Sequence, residues 1–208
     1  MLMVIIAPLI AQVKHPRATQ THATAPKRHT QSQQQKDFFK LAAQAGVKFV
    51  FPTGFREIKA PDNEDFSFDY ALELPGKDFE IWFGVKSEKE DWASYLNALN
   101  KPDAQLANPD SAYNTWGKAT VTELTGDQKY YVTTIPAGIL ARYNADAGKT
   151  YLLTLLDLPG TKHYKYALLI TLEKNHTGTI MAVCFGNEKG PEFFKNINKA
   201  SNCLKFKP

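Results

Sequence analysis

Residues 179–185 form an apolar run, Thr-Ile-Met-Ala-Val-Cys-Phe, between two turn signals. Such a segment is too short to cross a bilayer as a helix and reads as a strand covered on both faces. Its neighbours alternate instead. Phe66, Phe68, Tyr70, Leu72 and Leu74 are interleaved with Ser67, Asp69, Ala71 and Glu73, and Phe79, Ile81, Phe83 and Val85 with Glu80, Trp82 and Gly84. A period of two is a strand, and Pro75-Gly76-Lys77 between the runs makes a β-hairpin. Tyr164, Tyr166, Leu168, Ile170 and Leu172 repeat the pattern just before the apolar run. Strands that come in hairpin-linked groups predict an α+β domain with a largely antiparallel sheet. A strand apolar on both sides requires helices on both faces, so the expected architecture is a three-layer α/β/α sandwich. Trp82, on the second face of its strand, is then core.

Helical spacing recurs between these strands. Asp37–Ala45 carries Phe38, Leu41 and Ala42 on one side and ends at Gly46. Ser87 and Glu90 read as a capping box opening a helix whose inner face is Trp92, Tyr95, Leu96 and Leu99. Asn108-Pro109 starts another, with Asn108 as cap and Pro109 in the first helical position. Ala112, Tyr113, Trp116 and Leu124 are expected to face inward. Pro191 opens a helix burying Phe193, Phe194 and Ile197, and Leu204–Lys207 is a last strand, expected to lie parallel to 179–185 in the same sheet. On that topology Cys184 and Cys203 sit far apart, and two free thiols are expected rather than a disulfide.

The first 36 residues have a different character. Residues 1–11 are apolar and resemble the hydrophobic region of a signal peptide lacking its basic start. Residues 12–36 are rich in Gln, Thr and His and are expected to be a disordered linker, so the single α+β domain spans 37–208. Lys14, Arg17, Lys27, Arg28 and Lys36 face no acid, so residues 1–36 carry +5 of the chain's net +4 and the remainder carries −1. The basic character belongs to the tail, which argues against nucleic-acid binding by the domain. At most the linker touches anionic envelope polymer weakly. His15, His22 and His29 are seven apart with no carboxylate or Cys beside them, which is no metal site. No apolar run reaches spanning length.

The element order, with a long helical insertion in mid-chain and a final helix leading into a Leu-Lys-Phe strand, resembles the PsbP-like fold over about residues 46–208. Tyr143-Asn144-Ala145-Asp146 resembles a loop in uncharacterised exported bacterial proteins of that type. The resemblance implies accessory and binding roles, brings no catalytic residues with it, and does not transfer a function.

The chemistry-bearing residues point the same way. Arg142, Tyr143, Asn144, Asp146 and Lys149 crowd a short segment and are the candidate ligand-binding set, though Asn and Asp beside Gly148 is also ordinary turn chemistry. Ser67, Ser87, Ser94, Ser111 and Ser201 lie in no nucleophile-elbow context. Glu88, Glu90 and Asp91 fall where a helix start favours acids. No cofactor motif is present. The expected protein is a secreted or periplasmic, non-enzymatic accessory or binding protein, its partner a protein or small molecule. Two alternatives stand beside it: a hydrolase-type enzyme using Asp146 with His163 or Cys184, and a structural envelope component.

Overall fold

The computed structural model describes residues 31–99, 101, 107–126 and 129–208. The expectations for residues 1–30, including the signal-like run, the three spaced histidines and most of the linker, lie outside the described residues.

The chain is mixed helix and strand, built on a seven-stranded sheet. Its strands, in spatial order, are β2 (Arg56–Ile58), β3 (Tyr70–Glu73), β4 (Phe79–Ser87), β8 (Gly178–Gly186), β7 (Tyr166–Lys174), β6 (Ala147–Thr154) and β5 (Tyr131–Thr134). All six pairings are antiparallel. The apolar run is β8, in the middle, and every residue of it is buried except the half-buried Ala182. The β3–β4 hairpin closes through Leu74 N donating to Phe79 O (3.0 Å) and Lys77 N to Leu74 O (3.1 Å), with Gly76 at φ +74° supplying the left-handed turn residue.

Strand β3 is shorter than its alternation. Pairing with β4 begins at Tyr70 because Asp69 interrupts the ladder. The Asp69 carboxylate accepts from Val85 N at 2.7 Å, standing in for a main-chain carbonyl. Phe66 and Phe68 precede that break and are still buried.

Successive side chains of a strand point to opposite faces, and each face has its own core. On the first face Phe79, Ile81, Phe83 and Val85 of β4 meet Phe38 and Ala42 of α1 (Gln33–Gln44), Leu140 of α4 (Ala137–Tyr143), and Phe193, Ile197 and Ala200 of α5 (Pro191–Ala200). Phe38 stacks on Tyr70, ring centroids 4.8 Å apart. On the second face Trp82, Val183, Phe185 and Leu169 pack against Val121 and Leu124 of α3 (Ala112–Thr125). Asn108 caps the turn before α3 by accepting from Asp110 N at 2.9 Å. Helix α3 continues through Thr120, Val121 and Thr122 to Thr125, with the hydroxyls of Thr122 and Thr125 donating back to the carbonyls of Lys118 and Val121. Trp116 reaches over Gly84, where a Cβ would come within 2.7 Å of the indole. Of the residues expected to face inward from α3, Leu124 is fully buried, while Ala112, Tyr113 and Trp116 are half-buried.

Several expectations are corrected. The last strand, β9 (Leu204–Phe206), is not in the main sheet and not parallel to β8. It pairs antiparallel with β1 (Val47–Phe49) in a separate two-stranded sheet. Both edges of β8 are already taken by β4 and β7, so the chain leaving α5 finds its partner in β1. Val50 N to Cys203 O (2.7 Å) and Lys207 N to Gly46 O (2.7 Å) extend that pairing.

Helix α1 begins at Gln33, ahead of Asp37, because Ser32 Oγ accepts from Gln35 N at 2.9 Å and caps it. Ser32 Oγ also donates to Glu57 Oε1, and Gln34 bonds Ile58 O and Ala60 N. Gln31–Lys36 therefore belong to the folded unit rather than to the linker.

Helix α2 (Lys89–Leu99) buries no residue, and Leu96 and Leu99 are exposed instead of facing inward. Ser87 does not cap it. Ser87 ends β4 and its Oγ donates to Gln44 O, so Glu88 precedes the helix and accepts from Trp92 N. Trp92 lies against His176 of the β7–β8 turn with ring centroids 3.7 Å apart. On α5, Phe194 is exposed while Phe193 and Ile197 are buried.

Candidate binding site

The five residues singled out in the segment 142–149 are divided by the fold. Arg142 and Tyr143 end α4. Asn144 takes the left-handed conformation that stops the helix (φ 53°), and its Nδ2 donates to Lys207 O at 2.5 Å, tying α4 to the chain end beyond β9. Asp146 accepts from Asn175 N at 3.0 Å and from Lys174 Nζ at 3.2 Å, which fastens the start of β6 to the β7–β8 turn. Lys149 lies within β6 and points to the second face, donating to Asn114 Oδ1 of α3 at 2.8 Å. Asn144 and Asp146 thus do turn chemistry. Only Tyr143 turns into a recess.

That recess is a cavity of about 100 Å³ between β7–β8 and the α5–β9 connection. Ile170, Ala182 and Leu172 of the sheet form its floor. Tyr143, Ile197, Asn198, Ser201 and both cysteines contribute to its wall. It lies beside a part of the first face that the described elements cover only in part. On β7 the exposure alternates: Tyr166, Leu168 and Ile170 are half-buried, while Ala167, Leu169 and Thr171 between them, facing α3, are buried. On β6 Thr150 and Leu152 are likewise half-buried beside buried Tyr151 and Leu153. Burial raises the Tyr143 phenol above its ordinary range, so it stays neutral at the cavity edge.

Cys184 and Cys203 are free and buried. Burial holds the Cys184 thiol far above its ordinary value and pushes Cys203 up to about 12. The topological argument that placed them far apart does not hold, since β9 is outside the main sheet and both residues line this one cavity.

The groups required for hydrolysis do not converge. Asp146 lies at one end of β6, against the last residues of β7, and His163 lies beyond the other end, just before β7 begins. Eight residues of β6 at about 3.3 Å each put roughly 25 Å between them. His163 Nδ1 is 2.5 Å from Asp157 Oδ1, both side chains being mostly exposed. Cys184, mid-strand and protonated, is no nucleophile.

A buried carboxyl pair went unread in the sequence. On the second face, Thr179 Oγ1 lies 2.5 Å from Glu173 Oε2 and 3.3 Å from Glu88 Oε1, and all three residues are buried. One hydroxyl hydrogen serves one carboxylate only, so an ionised pair would leave one buried carboxylate without that donor. Desolvation, reinforced by the charges of Glu88, Asp110 and Asp146, raises the Glu173 carboxyl to about 8, and burial raises Glu88 as well. Thr179 Oγ1 donates to Glu173 Oε2 and stands within reach of Glu88 Oε1, and at neutral pH Glu173 holds a proton. Glu173 Oε1 has no partner among the described residues. The signal was available: Glu173 shares the face of Ala167 and Leu169, and a sheet covered on both sides buries it.

No family model matches the chain, and no curated protein matches it.

Proposed function

We propose that the protein is an exported, non-enzymatic accessory protein that binds a partner through the uncovered part of the first sheet face, with the Tyr143 cavity as its deepest point. The observation that carries this reading is the alternation on β7, where Leu168 and Ile170 stay half-open while the other face of the same strand is buried. Uncovered aliphatic side chains on a sheet, next to a recess with a few polar groups at its edge, suit an apolar side chain of a protein partner or a small apolar ligand. The separation of Asp146 from His163 and the protonated state of Cys184 weigh against the hydrolytic alternative. Export is supported by the apolar run at residues 1–11 and the polar segment after it.

In the same reading, α1, α4 and α5 form one outer layer and α3 the other, a three-layer sandwich of the PsbP-like kind. The helices flanking two separate cores support that arrangement.

The test is capture from the protein's own envelope fraction, run in parallel with wild type and Ile170→Lys. The half-buried position of Ile170 lets a lysine carry its charge to solvent, so the melting temperature is expected to stay within about 3 °C. Partner capture is expected to fall at least about tenfold, since a charge on an apolar docking face costs more than 1.4 kcal/mol. Equal capture by both proteins, or turnover of an ester or peptide substrate that Ile170→Lys leaves unchanged, rejects the reading.

A further inference from the structure

The two edges of the main sheet are treated differently. Strand β2 is guarded: Gln34 Nε2 donates to Ile58 O at 2.9 Å and Gln34 Oε1 accepts from Ala60 N at 2.9 Å, so α1 occupies the main chain along that edge. Its residues Arg56 and Glu57 are charged, and Glu57 is held by Ser32 and by Tyr70 Oη at 2.8 Å. Charged residues and a covering element are the usual ways of blunting a sheet edge.

Among the described residues, strand β5 has neither. Its sequence is Tyr131-Val132-Thr133-Thr134, uncharged and β-prone, and all four residues are exposed, Tyr131 at 77%. It pairs with β6 on one side and with nothing on the other among the described residues. The hydrogen-bond parity of this edge is fixed. Ile135 N donates to Gly148 O at 3.0 Å, one step beyond β5. Hydrogen-bonded pairs alternate along an antiparallel ladder, so Thr133 with Thr150 and Tyr131 with Leu152 also bond inward. The amides and carbonyls of Val132 and Thr134 then point away from the sheet.

We infer that a second copy of this chain pairs with the first through β5, edge to edge, about a two-fold axis at Thr133. An isologous antiparallel pairing centred there sets Val132 of each copy opposite Thr134 of the other. Those are the residues whose main-chain groups point outward, so all four donors and acceptors are satisfied at once. Thr133 meets Thr133 as the close, non-hydrogen-bonded pair, where two hydroxyls can bond across the axis. No charge within β5 opposes the contact, and β-branched Val132 faces Thr134. The two sheets become one of fourteen strands. A contact of four residues a side is at the small end for protein interfaces, so the association is weak and shows only at high chain concentration. This pairing does not depend on the binding face described above.

Sedimentation equilibrium on the full chain from about 10 µM to about 1 mM tests it, together with two variants. The Val132 N–H serves no bond within the sheet, so Val132→Pro removes one outward donor while leaving β5–β6 pairing intact, as proline is tolerated at an edge. Wild type is expected to dimerise in the upper part of the range. Val132→Pro is expected to weaken dimerisation at least about tenfold with an unchanged melting temperature. Thr133→Cys is expected to give a covalent dimer under mild oxidation, because non-hydrogen-bonded partners stand about 4.5 Å apart at Cα, within disulfide reach. Cys184 and Cys203 are buried and do not compete. A wild type that is monomeric throughout, a dimer indifferent to Val132→Pro, or no covalent dimer from Thr133→Cys overturns the inference.

Discussion

Glu173→Gln is expected to make the protein more resistant to alkali, removing a loss of roughly 3–5 kcal/mol that wild type suffers between pH 5 and pH 9.5. The carboxyl of Glu173 stands at about 8 in the folded chain against an ordinary value of 4.5. The folded state therefore binds a proton that the unfolded state has released throughout that interval. Stability from this group is complete below the ordinary carboxyl value and is lost as the pH rises through about 8. Above that point an ionised Glu173 lies buried beside Glu88, with Asp110 and Asp146 adding repulsion. Lys174 is pledged to Asp146, and Asp110 lies within 3.1 Å of His176 Nε2, so neither base answers the new charge. Glutamine keeps a donor for Thr179 and never ionises. Denaturant unfolding at a series of pH values checks this as the difference between the two proteins, which cancels every other titrating group. Parallel profiles refute it.

Trp82→Ala is expected to cost about 3–5 kcal/mol, or about 10 °C in melting temperature for a domain of this size. Trp82 is 1% exposed, with ring centroids 4.2 Å from Phe185 and 5.4 Å from Phe68. Its Nε1 donates to Glu80 Oε2 at 3.0 Å. Truncation opens a void in the second core and leaves the buried Glu80 carboxylate with Lys162 Nζ, 2.6 Å away, as its remaining strong partner. Trp92→Ala is the control. That ring lies on the outside of the domain against His176, and its loss is expected to cost under about 1.5 kcal/mol. Thermal unfolding of the two variants side by side checks the contrast, and similar losses contradict it.

The two tryptophans also mark what was legible beforehand. Trp82 follows from periodicity, because a two-residue repeat fixes the face and the apolar 179–185 run demands a cover for it. Trp92, Tyr95, Leu96 and Leu99 have an equally good helical repeat, yet among the described residues α2 meets only a partial cover, with Trp92 against His176 and Leu96 and Leu99 exposed. An amphipathic stripe states that a face wants cover, and does not state whether the rest of the chain reaches it. The same limit explains β9. Its existence was readable from Leu204 and Phe206, but its partner depended on β8 having both edges filled, which is a property of the whole sheet. Local polar chemistry is legible only where its partners are near in sequence. Asn144 and Asp146, whose place beside Gly148 also reads as turn chemistry, serve as a helix stop and a turn clip. Glu173 sits near the end of an alternating strand and is a buried acid, because its surroundings include Thr179 across the β7–β8 hairpin and Glu88, distant in sequence.

The central claim is that β8 is the innermost strand of an antiparallel sheet packed on both faces. Native-state hydrogen exchange tests it most directly, since amides that open only on global unfolding mark the centre of a fold. At chain concentrations below dimerisation, the amides of residues 179–185 are predicted to exchange slowest in the chain, with a free energy equal to that of global unfolding, and the outward amides of Val132 and Thr134 among the fastest. Exchange of 179–185 at the rate of β5 would contradict the account.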